Sequence, residues 1–334
     1  MRKQILIVPL LIVVLSILAV VLLVCQCWIY SGCSFLLAII FNVWSQTFPI
    51  HITHNRLKET KTLRILTYNV NRAHPLSKNE GTSNDLIHFV ERHDPDIILL
   101  QEYNYLLYPE VREKLSSVFP YGLASECKNN RFKTVFSKYP IENYEQLWVL
   151  PNDQRFEILQ HAWYSRVREG EREILPVCSM VVKVGVHNIR IINCHLMSNN
   201  FSVVIRNLKK KGKNYFYGIL SIMARMDYGY SVRKLQADLV ADYLTVCNED
   251  AFIVCGDFND ISGSSTLRSF SKIGLRNAWW DKGCGFGFTF HGMRLRLRLD
   301  HVLYTGASLR LYKVFVPHSK CSDHYPVVCD FNLI

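Results

Sequence analysis

Several common catalytic signatures are missing from this sequence. It has 11 cysteines but no C-x-x-C pair and no regular cysteine spacing, which excludes the usual zinc-finger and small disulfide-framework patterns. It also has no Gly-rich phosphate loop, and no serine or thiol lies in a nucleophile elbow. Internal repeats and low-complexity tracts are absent as well. If the chain is a hydrolase, the expected nucleophile is therefore water.

Acidic residues are absent from the first 55 positions, where Arg2 and Lys3 are the only charged side chains. The rest of the chain carries 37 Lys and Arg against 28 Asp and Glu, a net charge of +9. This basic excess suits a phosphate-bearing partner such as nucleic acid, anionic lipid or inositol phosphate. A solvated basic surface without a partner is the alternative.

The N-terminal region contains an uninterrupted apolar run of 20 residues, Ile5 to Val24. At a rise of about 1.5 Å per residue, a helix of this length matches the roughly 30 Å hydrocarbon core of a bilayer. The run therefore predicts a transmembrane helix. A cleaved signal peptide is the competing interpretation, but its apolar region would be about 7–15 residues long and a small-x-small cleavage site would follow. No such site follows Val24.

A second apolar stretch, residues 28–48, predicts a second span, although Asn42 and Gln46 weaken it. Basic residues flank both runs on the outside, which favours a hairpin with both ends cytoplasmic. The alternative is a single span with the second run in the outer interface, which would export the following domain. The expected organisation is a membrane anchor over 1–50 (spans 5–24 and 28–48), a linker over 51–61 and a domain over 62–334, located at the inner or plasma membrane.

The remainder of the chain shows many short strands and few helices, which predicts an α+β fold. Two packed mixed sheets with helices on their outer faces, a four-layer α/β/β/α sandwich, fit this pattern best. The predicted strands are 63–70, 96–101, 134–137, 162–167, 177–184, 189–194, 252–255, a strand around Phe288, 299–304, 309–316 and 325–331, and the predicted helices are 84–93 and 232–246. An insertion at about 199–229, rich in lysine and aromatic residues, is expected to form either a ligand-binding loop or a plain surface loop.

Polar side chains recur at the ends of these apolar strands, where a rigid scaffold usually holds functional groups. A single such residue is often a turn former, but six strand ends with one predict a shared site. Their carboxylate and amide oxygens are hard ligands that suit Mg²⁺, with Mn²⁺ as an alternative, and the two histidines move protons near neutral pH. Metal-assisted hydrolysis of a phosphoester is therefore predicted. The residues are Asn69, Glu102, His195, Asp257, Asn259, Asp300, Asp323 and His324.

The ordered motifs resemble those of the endonuclease/exonuclease/phosphatase superfamily over about residues 63–334. They are T-Y-N-V, L-L-Q-E, S-K-Y-P-I, N-C-H-L, G-D-F-N-D, L-D-H-V-L-Y and S-D-H-Y-P-V. This group includes deoxyribonucleases, apurinic endonucleases, sphingomyelinases and inositol polyphosphate 5-phosphatases. The R-x-x-Q-A stretch at Arg233 to Ala237 and the apolar N-terminus are similar to the membrane-anchored members of Bacteroidetes-type bacteria.

The resemblance implies a metal site with Glu102 as the principal Mg²⁺ ligand. Asn69 would support this site, and Asp323 would lie at the metal or at the attacking water. One departure concerns the nuclease branch, which has an arginine close behind the metal-binding glutamate. Tyr103 and Asn104 stand there instead.

The same resemblance implies five catalytic residues. Asp257 would orient or deprotonate the attacking water, and Asn259 would hold a phosphate oxygen. His324, partnered by Asp300, would contact the scissile phosphate, while His195 would stabilise the transition state or protonate the leaving oxygen. The sequence offers no evident carboxylate partner for His195.

The predicted function is that of a membrane-anchored, Mg²⁺-dependent phosphodiesterase or phosphatase acting on a lipid headgroup or a small phosphoester. The alternatives are a nuclease working near the membrane and an inactive scaffold that keeps the fold. The scaffold is disfavoured because every metal and histidine position of the motifs is occupied. Nothing in the sequence indicates an oligomeric state.

Overall fold

The computed structural model describes residues 4–24, 28–45, 47–51, 63–70, 83–103, 109–125, 133–147, 177–199, 215–292 and 296–334. The helices are α1 (Gln4–Val24), α2 (Trp28–Ser45), α3 (Ser83–His93), α4 (Pro109–Ser116), α5 (Tyr215–Thr245), α6 (Ser265–Lys272) and α7 (Ala278–Lys282). The strands are β1 (Leu63–Asn69), β2 (Ile97–Gln101), β3 (Tyr121–Ser125), β4 (Lys133–Ser137), β5 (Ile141–Leu147), β6 (Val177–Val184), β7 (His187–His195), β8 (Ala251–Asp257), β9 (Leu275–Asn277), β10 (Asp300–Thr305), β11 (Leu309–Phe315) and β12 (Val327–Leu333).

The strands form two six-stranded sheets, with the orders β11-β12-β1-β2-β4-β3 and β5-β6-β7-β8-β10-β9. Both sheets are mixed, because β1 runs parallel to β2 and antiparallel to β12, while β7 runs parallel to β8 and β8 antiparallel to β10. The predicted α+β architecture of two packed mixed sheets with helices is confirmed.

Alternation along the strands sorts the core into layers, because successive strand side chains point to opposite faces. Ile65 in the first sheet and Ile253 in the second belong to one buried cluster that fills the space between the sheets. Leu66 packs outward in a second cluster with residues of α3 and α4. Val254 packs outward in a third cluster with residues of α5 and α6. The helices therefore cover the outer faces of the sandwich.

Two local predictions were wrong. The helix predicted at 232–246 begins at Tyr215, so the second half of the predicted 199–229 insertion is helical. Aromatic residues and glycine have modest helix propensity, which concealed the start of this helix. Phe288 lies outside any strand, and Phe290, two residues later, forms only isolated bridges. The predicted strand 162–167, the first half of the insertion (200–214) and linker residues 52–61 lie outside the described residues.

The N-terminal helices α1 and α2 pack against each other through small side chains. Ala19 and Ala38 are buried between them, and the Ser31 hydroxyl donates a hydrogen bond to the Ala19 carbonyl at 2.7 Å. Small residues let two helices approach closely. Within the residues that the structure describes, no helix is long and apolar enough to cross a membrane, so the two predicted spans are not supported.

Candidate active site

The site lies at one rim of the two sheets because the strand directions bring their functional ends together. Asn69 ends β1, and His195 and Asp257 end the parallel neighbours β7 and β8, where they face each other in register. Asp300 begins β10 and pairs with Asp257 across the antiparallel ladder. Glu102 directly follows β2, the parallel neighbour of β1. Residues far apart in the sequence therefore meet at the same edge.

Asp257 is the centre of this cluster, and its side chain is almost completely buried. Its carboxylate accepts hydrogen bonds from the Asn69 amide (3.0 Å), the Asn259 backbone N–H (2.8 Å) and the Asn259 amide (3.2 Å). Burial raises the pKa of Asp257, although the nearby imidazoles of His324 and His195 oppose this rise. Since Asn69 belongs to one sheet and Asp257 to the other, the hydrogen bond between them also joins the two sheets at the rim.

His324 and Asp300 form a buried pair beside Asp257. The Nδ1 atom of His324 lies 2.8 Å from Asp300 Oδ2, and its Nε2 atom lies 3.9 Å from Asp257 Oδ2. Burial by itself lowers the pKa of His324, but the carboxylates of Asp300 and Asp257 outweigh it and raise the pKa to about 10. The His324 imidazole is therefore a cation at neutral pH, and its Nδ1–H donates a hydrogen bond to the Asp300 carboxylate.

The backbone around this pair is fixed by two hydroxyl groups that sequence patterns did not single out. The Thr289 hydroxyl accepts hydrogen bonds from the N–H groups of Leu299 and Asp300, both at 3.0 Å. The Ser322 hydroxyl accepts from the His324 N–H at 3.1 Å and donates to the Asn69 carbonyl at 2.7 Å. The only signal in the sequence was the position of Ser322 within the S-D-H motif.

His195 lies near two carboxylates, neither of which the sequence indicated as its neighbour. Its Nε2 atom is 3.6 Å from Glu102 Oε1 and 3.7 Å from Asp257 Oδ2. Glu102 has a φ of 57°, a left-handed conformation that is rare for a residue with a side chain. Such strain concentrates at functional sites, where surrounding structure enforces it. Asn259 shares this property, with a φ of 49°.

Three residues of the site carry oxygen donors of the kind that a divalent cation prefers. Asn69, Glu102 and Asp323 offer amide and carboxylate oxygens, the hard ligands that Mg²⁺ and Mn²⁺ prefer. The Asp323 carboxylate is close enough to contribute to the raised pKa of His324. Among the described residues, a different group presents three ligand atoms within 4.8 Å of one another, namely Asp257, Asp300 and His324. In that group His324 and Asp300 are already joined by a hydrogen bond, which explains their short distance without a metal ion.

Helix α5 supports the loop that follows His195. The Arg233 guanidinium, which is fully buried, donates to the Met197 carbonyl at 2.9 Å and to the Asn199 side chain at 3.0 Å. Its Nε atom lies 3.4 Å from Asp260 Oδ2, in the loop that contains Asn259. One turn further along the helix, the Gln236 side-chain oxygen accepts from the Met197 N–H at 2.9 Å. The R-x-x-Q spacing places both residues on one helix face, so that they link two loops of the site.

Comparison with known proteins identifies the family of the chain. The sequence profile described as "Endonuclease/Exonuclease/phosphatase family" matches residues 66–324 of the chain. No curated protein sequence matches the chain.

Solved structures with the same fold include an endonuclease/exonuclease/phosphatase from Bacteroides vulgatus, with 14% identity, a TM-score of 0.58 and coverage of 81% of this chain and 99% of that one. A point variant of the 3' phosphatase NExo from Neisseria, bound to a product DNA hairpin, has 17% identity, a TM-score of 0.52 and coverage of 81% and 99%. A humanized D. rerio TDP2 with 14 mutations has 14% identity, a TM-score of 0.52 and coverage of 81% and 98%. At these identities the likeness shows the shared fold.

Proposed function

Because the chain belongs to the endonuclease/exonuclease/phosphatase family, we propose that it is a phosphoester hydrolase that depends on a divalent cation and uses water as its nucleophile. The observation that carries the proposal is the convergence of Asp257, His195 and the His324–Asp300 pair within hydrogen-bonding or near-contact distances. An inactive scaffold would not need three such groups aligned at the same rim.

Asp257 is the residue that we expect to orient the attacking water and take its proton. Its pKa is raised by burial, which makes the carboxylate a stronger base than an exposed aspartate. Its hydrogen bonds from Asn69 and Asn259 hold the carboxylate in one orientation. A base that is already oriented avoids the cost of reorganisation during the reaction.

The two histidines have different tasks in this proposal. His324 is cationic at neutral pH because Asp300 and Asp257 raise its pKa, so its Nε2–H donates to a phosphate oxygen. Its Nδ1–H keeps its hydrogen bond to Asp300, which fixes the orientation of the ring. His195, held near Glu102 and Asp257, is placed to give a proton to the leaving oxygen. The Asn259 amide would bind a second phosphate oxygen.

Mg²⁺, or Mn²⁺ in its place, would be held by Glu102, Asn69 and Asp323, and it would supply positive charge to offset that of the phosphate. These three residues provide only oxygen donors, as such a cation requires.

For the substrate, we propose a phosphoester at a membrane surface, such as a lipid headgroup, with the enzyme attached to the inner or plasma membrane. This is supported by the uncharged stretch of residues 4–48 and by the apolar side chains that α1 and α2 expose, among them Ile17 and Leu36. A nucleic-acid substrate is the second candidate. It is favoured by the net charge of the chain, +11, and by the fold shared with a 3' phosphatase bound to a DNA hairpin.

The test is a substrate panel assayed with the full chain in Mg²⁺, in Mn²⁺ and after chelation. The panel comprises plasmid DNA, abasic DNA, sphingomyelin, phosphatidylinositol phosphates and bis-p-nitrophenyl phosphate. We expect cation-dependent product release from at least one substrate, and a decrease of about 100-fold or more in kcat/KM for Glu102→Gln. Glu113→Gln, an exposed position on α4, is the matched control. Wild-type protein that is inactive on the whole panel with either cation would favour the scaffold.

A further inference from the structure

A short segment between α2 and β1 lies directly against the catalytic domain. This segment, Thr47–His51, is called the strap here. The Pro49 carbonyl accepts a hydrogen bond from the Gly285 N–H at 2.9 Å, and the His51 Nε2 atom lies 2.7 Å from the Trp280 carbonyl oxygen. The Phe48 ring packs edge-on against Phe286, with centroids 4.7 Å apart. The strap is therefore docked by polar and aromatic contacts.

The strap packs against residues 283–292 and 296–299, which lie between α7 and β10 and are called the catalytic loop. Arg298 holds this loop together. This buried guanidinium donates to the Phe286 carbonyl at 2.8 Å and to the Ser262 hydroxyl at 2.6 Å, and it reaches the Thr47 carbonyl at 3.4 Å. Its cation also lies 5.7 Å from the Trp279 ring. One side chain thus holds both the strap and the loop beneath it.

The same loop leads straight into the active site. Arg298 precedes Asp300 by two residues, and Thr289 binds the Asp300 N–H. Phe290 lies edge-on to the His324 ring, with centroids 5.0 Å apart. Since Asp300 begins β10 at the rim, the strap is attached at the active-site end of the sandwich rather than at the opposite end.

At its other end the strap is tied to α2. The Asn42 side chain both donates to the Phe48 carbonyl and accepts from the Phe48 N–H, each at 2.8 Å. These two hydrogen bonds fix the orientation of α2 relative to the strap. The α1–α2 hairpin is consequently anchored at the same end of the molecule as the active site.

The outer surface of this hairpin is apolar on both helices. Ile17 is 58% exposed and Leu36 is 58% exposed, and large hydrophobic residues around them are exposed to a similar degree. Soluble monomers rarely expose a continuous apolar surface of this kind. The stretch 4–48 has no charged side chain, whereas a protein interface usually has a polar rim. Arg2 and Lys3 precede it and more basic residues follow at 56–61, which suits an anionic lipid surface.

We propose that the apolar outer surface of the hairpin lies in the surface layer of a lipid bilayer without crossing it, and that the strap holds the active site facing that bilayer, so that the enzyme takes its phosphoester from lipid headgroups. This inference rests on the proposed hydrolase function and specifies the source of its substrate. The hairpin supplies attachment, and the strap supplies orientation. Each role is open to separate measurement.

The experiment uses the full chain with two substrates, a phosphatidylinositol phosphate in phosphatidylcholine–phosphatidylserine vesicles and soluble bis-p-nitrophenyl phosphate. For attachment, the double variant Ile17→Asp/Leu36→Asp is expected to lose cosedimentation with vesicles and at least about 10-fold of vesicle hydrolysis. Its activity on the soluble substrate should remain within about 2-fold of wild type. Tyr312→Ala, an exposed aromatic residue on β11, is the control and should behave as wild type.

For orientation, Phe48→Ala is expected to keep cosedimentation but to lose about 10-fold of vesicle hydrolysis, with soluble activity largely retained. Equal loss on both substrates would show that the strap only supports the catalytic loop and would overturn the orientation role. Unchanged vesicle hydrolysis in Ile17→Asp/Leu36→Asp would overturn attachment. Wild-type activity on the soluble substrate alone overturns this inference and leaves the hydrolase proposal standing, whereas inactivity on both substrates overturns the two together.

Discussion

His324 and Asp300 are joined by a buried 2.8 Å contact between the imidazole Nδ1 and the carboxylate Oδ2. The two residues come from different parts of the chain, and the Thr289 hydroxyl fixes the backbone N–H of Asp300. This relationship determines both the charge and the orientation of the ring that we expect to contact phosphate. Removing this contact should therefore change the pH at which His324 titrates as well as the catalytic rate.

The first prediction concerns Asp300→Asn. Losing the carboxylate removes a principal cause of the raised pKa of His324, so the pKa falls. We expect NMR titration of the metal-free protein to show deprotonation of His324 at a lower pH than in wild type. We also expect kcat to decrease by about 100-fold or more, with a smaller change in KM. Asp250→Asn, at an exposed turn before β8, is the control. An unchanged His324 titration would show that Asp300 does not set its charge.

The second prediction concerns the buried arginine of α5. Arg233→Met keeps much of the volume but removes the cation beside Asp260 and the donors to Met197 and Asn199. Breaking a buried ion pair by removing one partner costs about 3–5 kcal/mol, and urea unfolding would measure that loss. Arg310→Met, an exposed change on β11, should stay within about 0.5 kcal/mol of wild type.

A structural role alone and a positioning role for Arg233 give different kinetics. If Arg233 positions the loop after His195, then Arg233→Lys should retain more stability than Arg233→Met and still show a lower kcat, because lysine cannot bind two loops with a planar fork. Wild-type kcat in a folded Arg233→Lys protein would contradict the positioning role.

The third prediction concerns an ion pair far from the site. The Arg190 guanidinium donates to both carboxylate oxygens of Glu249, at 2.9 Å and 2.5 Å, and these hydrogen bonds lower the pKa of Glu249. A depressed carboxylate pKa gives stability that is present above the unfolded pKa, about 4.3, and is lost as pH falls through the folded pKa. Glu249→Gln should therefore lower the free energy of unfolding by about 1–3 kcal/mol at neutral pH, with the difference disappearing in acid.

The measurement is chemical denaturation of wild type and Glu249→Gln over a series of pH values. Glu113→Gln, an exposed position, should follow the wild-type curve throughout. If the wild type and Glu249→Gln differ equally at neutral and acidic pH, the Arg190 bonds do not act through the charge of Glu249.

The sequence predicted the strand ends well because alternation and apolar runs are local properties. Asn69, Asp257 and Asp300 all lie where the pattern of hydrophobic residues stops. The proximity of Glu102 to His195 was not predictable in this way, because it depends on how the two sheets face each other. Thr289 and Ser322 were not predictable for the same reason, because their hydroxyl groups form hydrogen bonds to the backbone of other segments.

Errors in the sequence interpretation have a similar origin. The start of α5 at Tyr215 was missed because aromatic residues suggested a loop, although this part of the chain continues the helix that carries Arg233. In the sequence, Arg233 stands out only as part of the R-x-x-Q-A stretch. Its burial against Asp260 follows from packing of α5 on the loops of the second sheet, and residue type does not encode that packing.

The last prediction concerns Gly256, which directly precedes Asp257. Its φ is 129°, and a Cβ atom built there would lie 2.1 Å from the Cys194 carbonyl oxygen. Because this neighbour is backbone in the adjacent strand β7, it cannot move aside without displacing His195, the next residue. Gly256→Ala should therefore cost about 3 kcal/mol or more in unfolding free energy and should also reduce kcat.

Gly185→Ala is the matched control for this change. Gly185 has a φ of 62°, but a Cβ atom there would meet nothing within 4 Å. It should cost only about 1 kcal/mol, from backbone conformation alone, and leave kcat unchanged. A larger loss at Gly256 combines the contact with the Cys194 carbonyl and the greater strain of alanine at a φ of 129°. If both variants lose the same stability, then conformational strain at glycine explains the effect, and close approach of β7 and β8 is not what holds His195 beside Asp257.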